Sequence, residues 1–192
     1  MNATRKPDFD NILAVCRRET PSRPTPFEFI ICPEHLARLS GRTLNSRNSQ
    51  WGNPEFWKLC AAGFAAAGYD FAAVHLSGFS FPTRSHAQAA SKSLESEVMI
   101  TDWPSFHAYP WPDPDAFPPD GLEAARSQLL PGMKLIVFGP GGVLENTMQL
   151  LGYQGMSYLL ADDPELVAAV VDAVGQRLYR QYELALRHDS VG

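Results

Sequence analysis

Two rhythms of apolar residues run along this chain. One has helical spacing, and the other consists of short unbroken runs between polar or glycine-rich breaks. The longest helical stripe joins Leu166, Val167, Val170, Val171, Val174, Leu178, Tyr182 and Leu186, about six turns of core-facing positions. Its start carries Asp162 or Asp163 as a cap, Pro164 at the first position and Glu165 in the first turn. A second helix is predicted after the cap Asn53, with Phe56, Trp57, Cys60, Phe64 and Ala67 in phase and Gly68 as its stop. Shorter helices are expected over residues 8–18, 33–40 (ended by Gly41), 121–130 and 144–151.

The unbroken runs predict strands. They are "PFEFIIC" at 26–32, "YDFAAVHLSGF" at 69–79 and "MKLIVF" at 133–138. "SEVMITDW" at 96–103 is a weaker fourth candidate. Short, wholly apolar strands are those covered by helices on both faces. Strands alternating with helices imply βαβ units, hence a parallel sheet in an α/β fold.

Residues 79–120 break both rhythms. Their second half, "TDWPSFHAYPWPDPDAFPPDG", is crowded with proline, which forbids long helices and central strands. Trp103, Phe106, Tyr109, Trp111 and Phe117 nevertheless call for burial. A packed excursion is therefore expected rather than a linker, and it could serve as a lid.

Composition narrows the function. Hydrophobic residues make up 45% and charged residues 19% of the 192, so a buried core is expected. A net charge of -5 argues against nucleic acid or an anionic membrane as partner. No apolar run is long enough to span a bilayer, and the cytoplasm is the expected location. Cys16, Cys32 and Cys60 form neither a disulfide framework nor a metal knuckle, and read as small hydrophobes.

The stretch "FGPGGVLEN" after the third strand raises the question of a phosphate cradle. It lacks the Lys-Ser/Thr of a P-loop and the spacing of a dinucleotide fingerprint. Gly139, Gly141 and Gly142 read instead as a strand-to-helix corner, with Glu145 placed to cap the following helix.

Three good strands are few for this much amphipathic helix. After the longest helix come the residues "LRHDSVG", at the point where a βα repeat has its next strand. The expectation is the N-terminal part of a larger repeat, incomplete at an αβ junction.

This pattern resembles the N-terminal half of the uroporphyrinogen decarboxylase superfamily, which includes the methylcobalamin-dependent methyltransferases. The resemblance rests on "ILAVCRRETPSRPTPFEF", "AAGYDFAAVHLSGF", "MKLIVFGPGGVLENTMQLLGYQG" and "LLADDPELVAAVVDAVGQRLYRQYELALRHDSVG" in that order. It implies a (β/α)8 barrel of which the 192 residues supply about three of eight strands, with an active site at the C-terminal strand ends. It also implies a small-molecule substrate. The departures favour one branch. Decarboxylases are expected to carry arginines after strand one, where this chain reads "FIICPEHLAR". Their catalytic aspartate is matched here by Gly78, and a tyrosine after strand three by Met148. The resemblance therefore implies a corrinoid or thiol methyltransferase more than a true decarboxylase, with decarboxylation as the alternative. Zinc and a corrinoid protein are implied for the full-length enzyme, none in this segment, and a half-chain by itself would be inactive.

The candidate site residues follow from the strand ends. Glu28, a charge inside an apolar run, together with His75 and Ser77, are the catalytic candidates. Gly78, Gly141, Gly142 and His107 are the substrate-binding candidates. A structural role is the alternative for Glu28 (a paired carboxylate), His75 (a hydrogen-bonded barrel histidine) and His107 (packing among aromatics).

Overall fold

The structure, a computed structural model, describes residues 5–76, 78–83, 98–117 and 119–192. Ser77 and the polar segment 84–97 of the expected excursion lie outside the described residues. The chain divides into two compact units. The first comprises Met1–Gly78, Pro118–Phe138 and Ala185–Gly192, and the second Phe79–Phe117 and Gly139–Leu184.

The first unit is built on two parallel strands, β1 (Phe71–His75) and β2 (Lys134–Phe138), in register from Phe71 with Lys134 to His75 with Phe138. Helices α1 (Asp10–Cys16), α2 (Pro33–Ser40), α3 (Pro54–Ala67) and α5 (Asp120–Arg126) belong to the same unit. The sequence marks of α3 act as expected. Asn53 accepts the Glu55 N–H at 3.0 Å, and Gly68 closes the helix in the left-handed conformation (φ 83°). α3 and α5 pack on the strands and bury Trp57, Phe64, Phe71 and Leu135 to 1% exposure or less.

The strand expected at 26–32 is absent. Phe27 and Ile30 are 54% and 62% exposed, unlike residues of a covered strand. The Glu28 carboxylate accepts from the N–H groups of Phe29 (3.0 Å) and Ile30 (3.5 Å). Such local side-chain bonds compete with a strand ladder for the same donors. The aromatic rings still find the sheet, with Phe27 on Phe71 (5.0 Å) and Phe29 on Phe138 (5.3 Å). Packing was legible there, but backbone pairing does not form.

Beyond β2 lies a further parallel contact. Leu135 donates to Ser190 O (2.7 Å), Gly192 donates to Leu135 O (3.0 Å), and Leu135 and Val191 form a parallel bridge. β2 is thus flanked by β1 on one edge and by Val191 on the other. The elements are mixed helix with a small parallel sheet, compatible with an α/β fold.

A clasp closes the N-terminal ends of both strands. Asp70, immediately before β1, is fully buried and paired with Arg5 (2.9 Å) and Arg23, and it accepts the Asp8 N–H at 2.9 Å. Gly132, just before β2, accepts the Phe9 N–H at 3.0 Å.

The second unit has its own core of Phe79, Phe81, Ile100, Tyr109, Leu150, Leu151, Leu166, Val167, Val170, Val174 and Leu178. It contains α4 (Trp103–Ala108), α6 (Val143–Leu151), α7 (Tyr153–Asp162) and nearly all of α8 (Pro164–Ala185). Most of the long stripe is core as expected, but Val171 and Leu186 are exposed. α4 arises despite the prolines because Pro104 sits in its first turn, where no N–H is needed. Asp102 and Ser105 cap it reciprocally. α7 was not expected, since it fully buries none of its residues and so has no stripe to read. No strand forms at 98–100, where Met99 and Ile100 both donate to Leu150 O.

The proline-rich stretch is held by successive residues of α8. Arg177 donates to Pro112 O (3.1 Å), Arg180 pairs with Asp115 (2.6 Å), and Gln181 donates to Pro114 O (2.7 Å). Among the described residues, no helix is long and apolar enough to cross a membrane.

Candidate functional site

The C-terminal strand ends bring two residues side by side. His75 closes β1 and Phe138 closes β2, they are register partners, and their rings lie 5.2 Å apart. Trp51, from the turn before α3, covers the imidazole from another direction at 5.4 Å. Trp51 is in turn positioned by Phe56 (5.3 Å) and Trp57 (5.1 Å). The ring-lined setting leaves His75 Nδ1 buried and without a hydrogen-bond partner.

Burial pushes the His75 pKa down, because the charged imidazolium loses its water. The sign of the pH effect follows. An unfolded histidine titrates near about 6.5, so on acidification the unfolded chain takes up this proton first. The contribution to stability is complete above about 6.5 and is lost as the pH falls toward the lower folded value. The substitution His75→Phe should flatten that acid limb when urea midpoints are followed from about pH 7 to 5. A limb unchanged by the substitution would contradict this reading.

Glu28, expected as a charge aimed into a site, is instead exposed and bonded to its own backbone. Gly78 takes a positive φ of 104°, a turn that few side chains adopt, so a backbone reason exists for glycine there. Ser77 lies outside the described residues.

The corner after β2 belongs to the second unit and is tied up by its own chain. Asn146, buried on α6, donates to Pro140 O (2.9 Å) and Gly142 O (2.8 Å). Gly141 has φ 78°, and Gly142 is the N-cap of α6. The Glu145 carboxylate lies against Gly142, over the start of the helix. The partial positive charge of that terminus is thereby met by the protein's own carboxylate. The Tyr182 hydroxyl is hydrogen-bonded to the Gly139 backbone, and burial raises its pKa. Nothing in this arrangement calls for a phosphate.

His107 is exposed on α4, with Trp103 at 5.9 Å and Phe106 at 5.4 Å. Together with Phe106, Trp111, Ala173 and Arg177 it lines a groove of about 260 Å³. Arg177 stacks on Trp111, 4.7 Å from the ring centre.

Sequence reasoning missed Trp51 and Asn146. Trp51 stands two residues before the cap Asn53, and an aromatic just ahead of a marked helix start was an available signal. Asn146 gave none, since its role depends on carbonyls brought together only by the corner.

Among the described residues, no three His, Cys, Asp or Glu side chains gather in a group that could hold a metal ion. Comparison with known protein families, with curated proteins and with solved structures finds no match for this chain.

Proposed function

We propose that this chain forms part of a (β/α)8 barrel enzyme of the uroporphyrinogen decarboxylase and methylcobalamin-dependent methyltransferase superfamily, acting in methyl transfer to a thiol. Strand order supports the barrel. β1, β2 and the Val191 bridge are neighbours in chain order and all parallel, which is how a singly wound barrel adds its strands.

The observation that carries the chemistry is the state of the β1 strand end. A half-buried His75, its imidazole held toward the neutral form, sits between Trp51 and Phe138. Gly78 stands three residues on, where the resemblance places the decarboxylase aspartate. Decarboxylation of a porphyrinogen builds positive charge on a pyrrole, which an anion must stabilise. A neutral ring-lined end suits a small substrate of low charge. A corrinoid would supply the methyl group, and zinc in the wider family activates the thiol.

The test assays the natural polypeptide carrying this sequence. It is given methylcobalamin with a small thiol, and separately uroporphyrinogen. Thioether product above the protein-free background is expected, falling about 10²-fold in His75→Phe. Decarboxylated porphyrinogen without any thioether would overturn the proposal.

A further inference from the structure

The described residues include a nucleophile that the strand-end site does not use. Cys32 is the residue at which α2 begins, and its Sγ lies 2.9 Å from His35 Nδ1. Both side chains are exposed. The pair arises from helix geometry, because positions three apart at a helix start face one another. In the tautomer with hydrogen on Nε2, the thiol donates to Nδ1, so a proton acceptor already touches the S–H. Ile30 and Phe29, two and three residues before Cys32 in the chain, are exposed apolar side chains.

We infer that the Cys32–His35 pair is a nucleophilic thiol site for soft electrophiles, with small aromatic disulfides as its chemical class. The step balances without any other reagent. His35 Nδ1 takes the thiol proton, and the Cys32 sulfur attacks one sulfur of the disulfide. A protein–ligand S–S bond forms as the ligand S–S bond breaks, and the second ligand sulfur leaves as a thiolate that collects the proton. The Cys32 sulfur passes from thiol to disulfide level as the released ligand sulfur passes from disulfide to thiol level, so one S–S bond replaces another and no further oxidant is needed.

The other cysteines are built-in references. Cys16 is exposed and followed by Arg17 and Arg18, so it is an accessible reference thiol. Cys60 is buried in α3, where burial pushes its thiol up to about 12, and it reports on folding.

The experiment treats the full chain at neutral pH with 4,4′-dithiodipyridine, an uncharged aromatic disulfide, and follows each cysteine by peptide mass mapping. Cys32 should react at least about tenfold faster than Cys16. His35→Ala should bring Cys32 to within about twofold of Cys16 while Cys60 stays unreactive. Equal rates at Cys32 and Cys16 in the unsubstituted chain would overturn the inference, as would a Cys32 rate indifferent to His35→Ala. If Cys60 reacts in the variant, the fold has been lost, and the unsubstituted comparison alone decides.

Discussion

Replacing Asp70 by Asn should cost about 3 kcal/mol, the lower end of the range for breaking a buried ion pair. Asp70 is fully buried and serves three donors: Arg5, Arg23 and the Asp8 N–H. An amide keeps the shape but offers one acceptor oxygen and no charge, so two guanidiniums lose their counter-ion. The cost stays at the low end because the Arg5 and Arg23 side chains are 31% and 27% exposed and can turn to water. Either arginine alone, changed to Gln, should cost distinctly less than Asp70→Asn, since the carboxylate keeps its other partner. The urea midpoint checks this, and on the order of a 1–2 M fall is expected for Asp70→Asn. A midpoint within experimental error of the unsubstituted chain would show that the clasp does not hold β1.

Gly132→Ala should be comparably damaging, although only one methyl group is added. Gly132 has φ 88°, a conformation that costs an L-residue about 1–2 kcal/mol. The new Cβ would also run into the Pro7 carbonyl oxygen and lie 3.1 Å from its carbon. That carbonyl belongs to the backbone of the segment that donates Phe9 N–H to Gly132 O, so it cannot swing aside without breaking the bond. Overpacking of this kind adds roughly 1–3 kcal/mol. Asp70 and Gly132 fasten the same stretch, residues 5–9, to the starts of β1 and β2. Their substitutions should therefore combine to less than the sum, because the first releases what the second would strain. A thermal melt reads this, at roughly 2–4 °C per kcal/mol for a chain of this size.

Elements with local marks were legible in the sequence. α3 was readable from Asn53, Pro54 and Gly68, α8 from Pro164 and its buried stripe, and both strands from runs that helices cover. What misled was a run whose apolar content was real but whose pairing was not. In 26–32, Glu28 satisfies the Phe29 and Ile30 N–H groups locally, which no count of β-formers reveals. α7 was invisible for the opposite reason, being a helix with no fully buried residue, its Met156 and Leu159 only partly covered. At the strand ends, His75 was legible because β1 had to end near it. Its surroundings were not, since Trp51 and Phe138 lie 24 and 63 positions from it and meet it only through packing. The cysteines were read as inert hydrophobes, which fits buried Cys60 but not exposed Cys32 beside His35.

β2 has a parallel neighbour on each edge, in the order in which the chain supplies them. Cross-strand nuclear Overhauser contacts in the labelled chain test this directly. Contacts linking Leu135 both to Ala72 and to Val191, with none between Ala72 and Val191, are the predicted result. A contact joining Ala72 to Val191, or the absence of any between Leu135 and Val191, would contradict it.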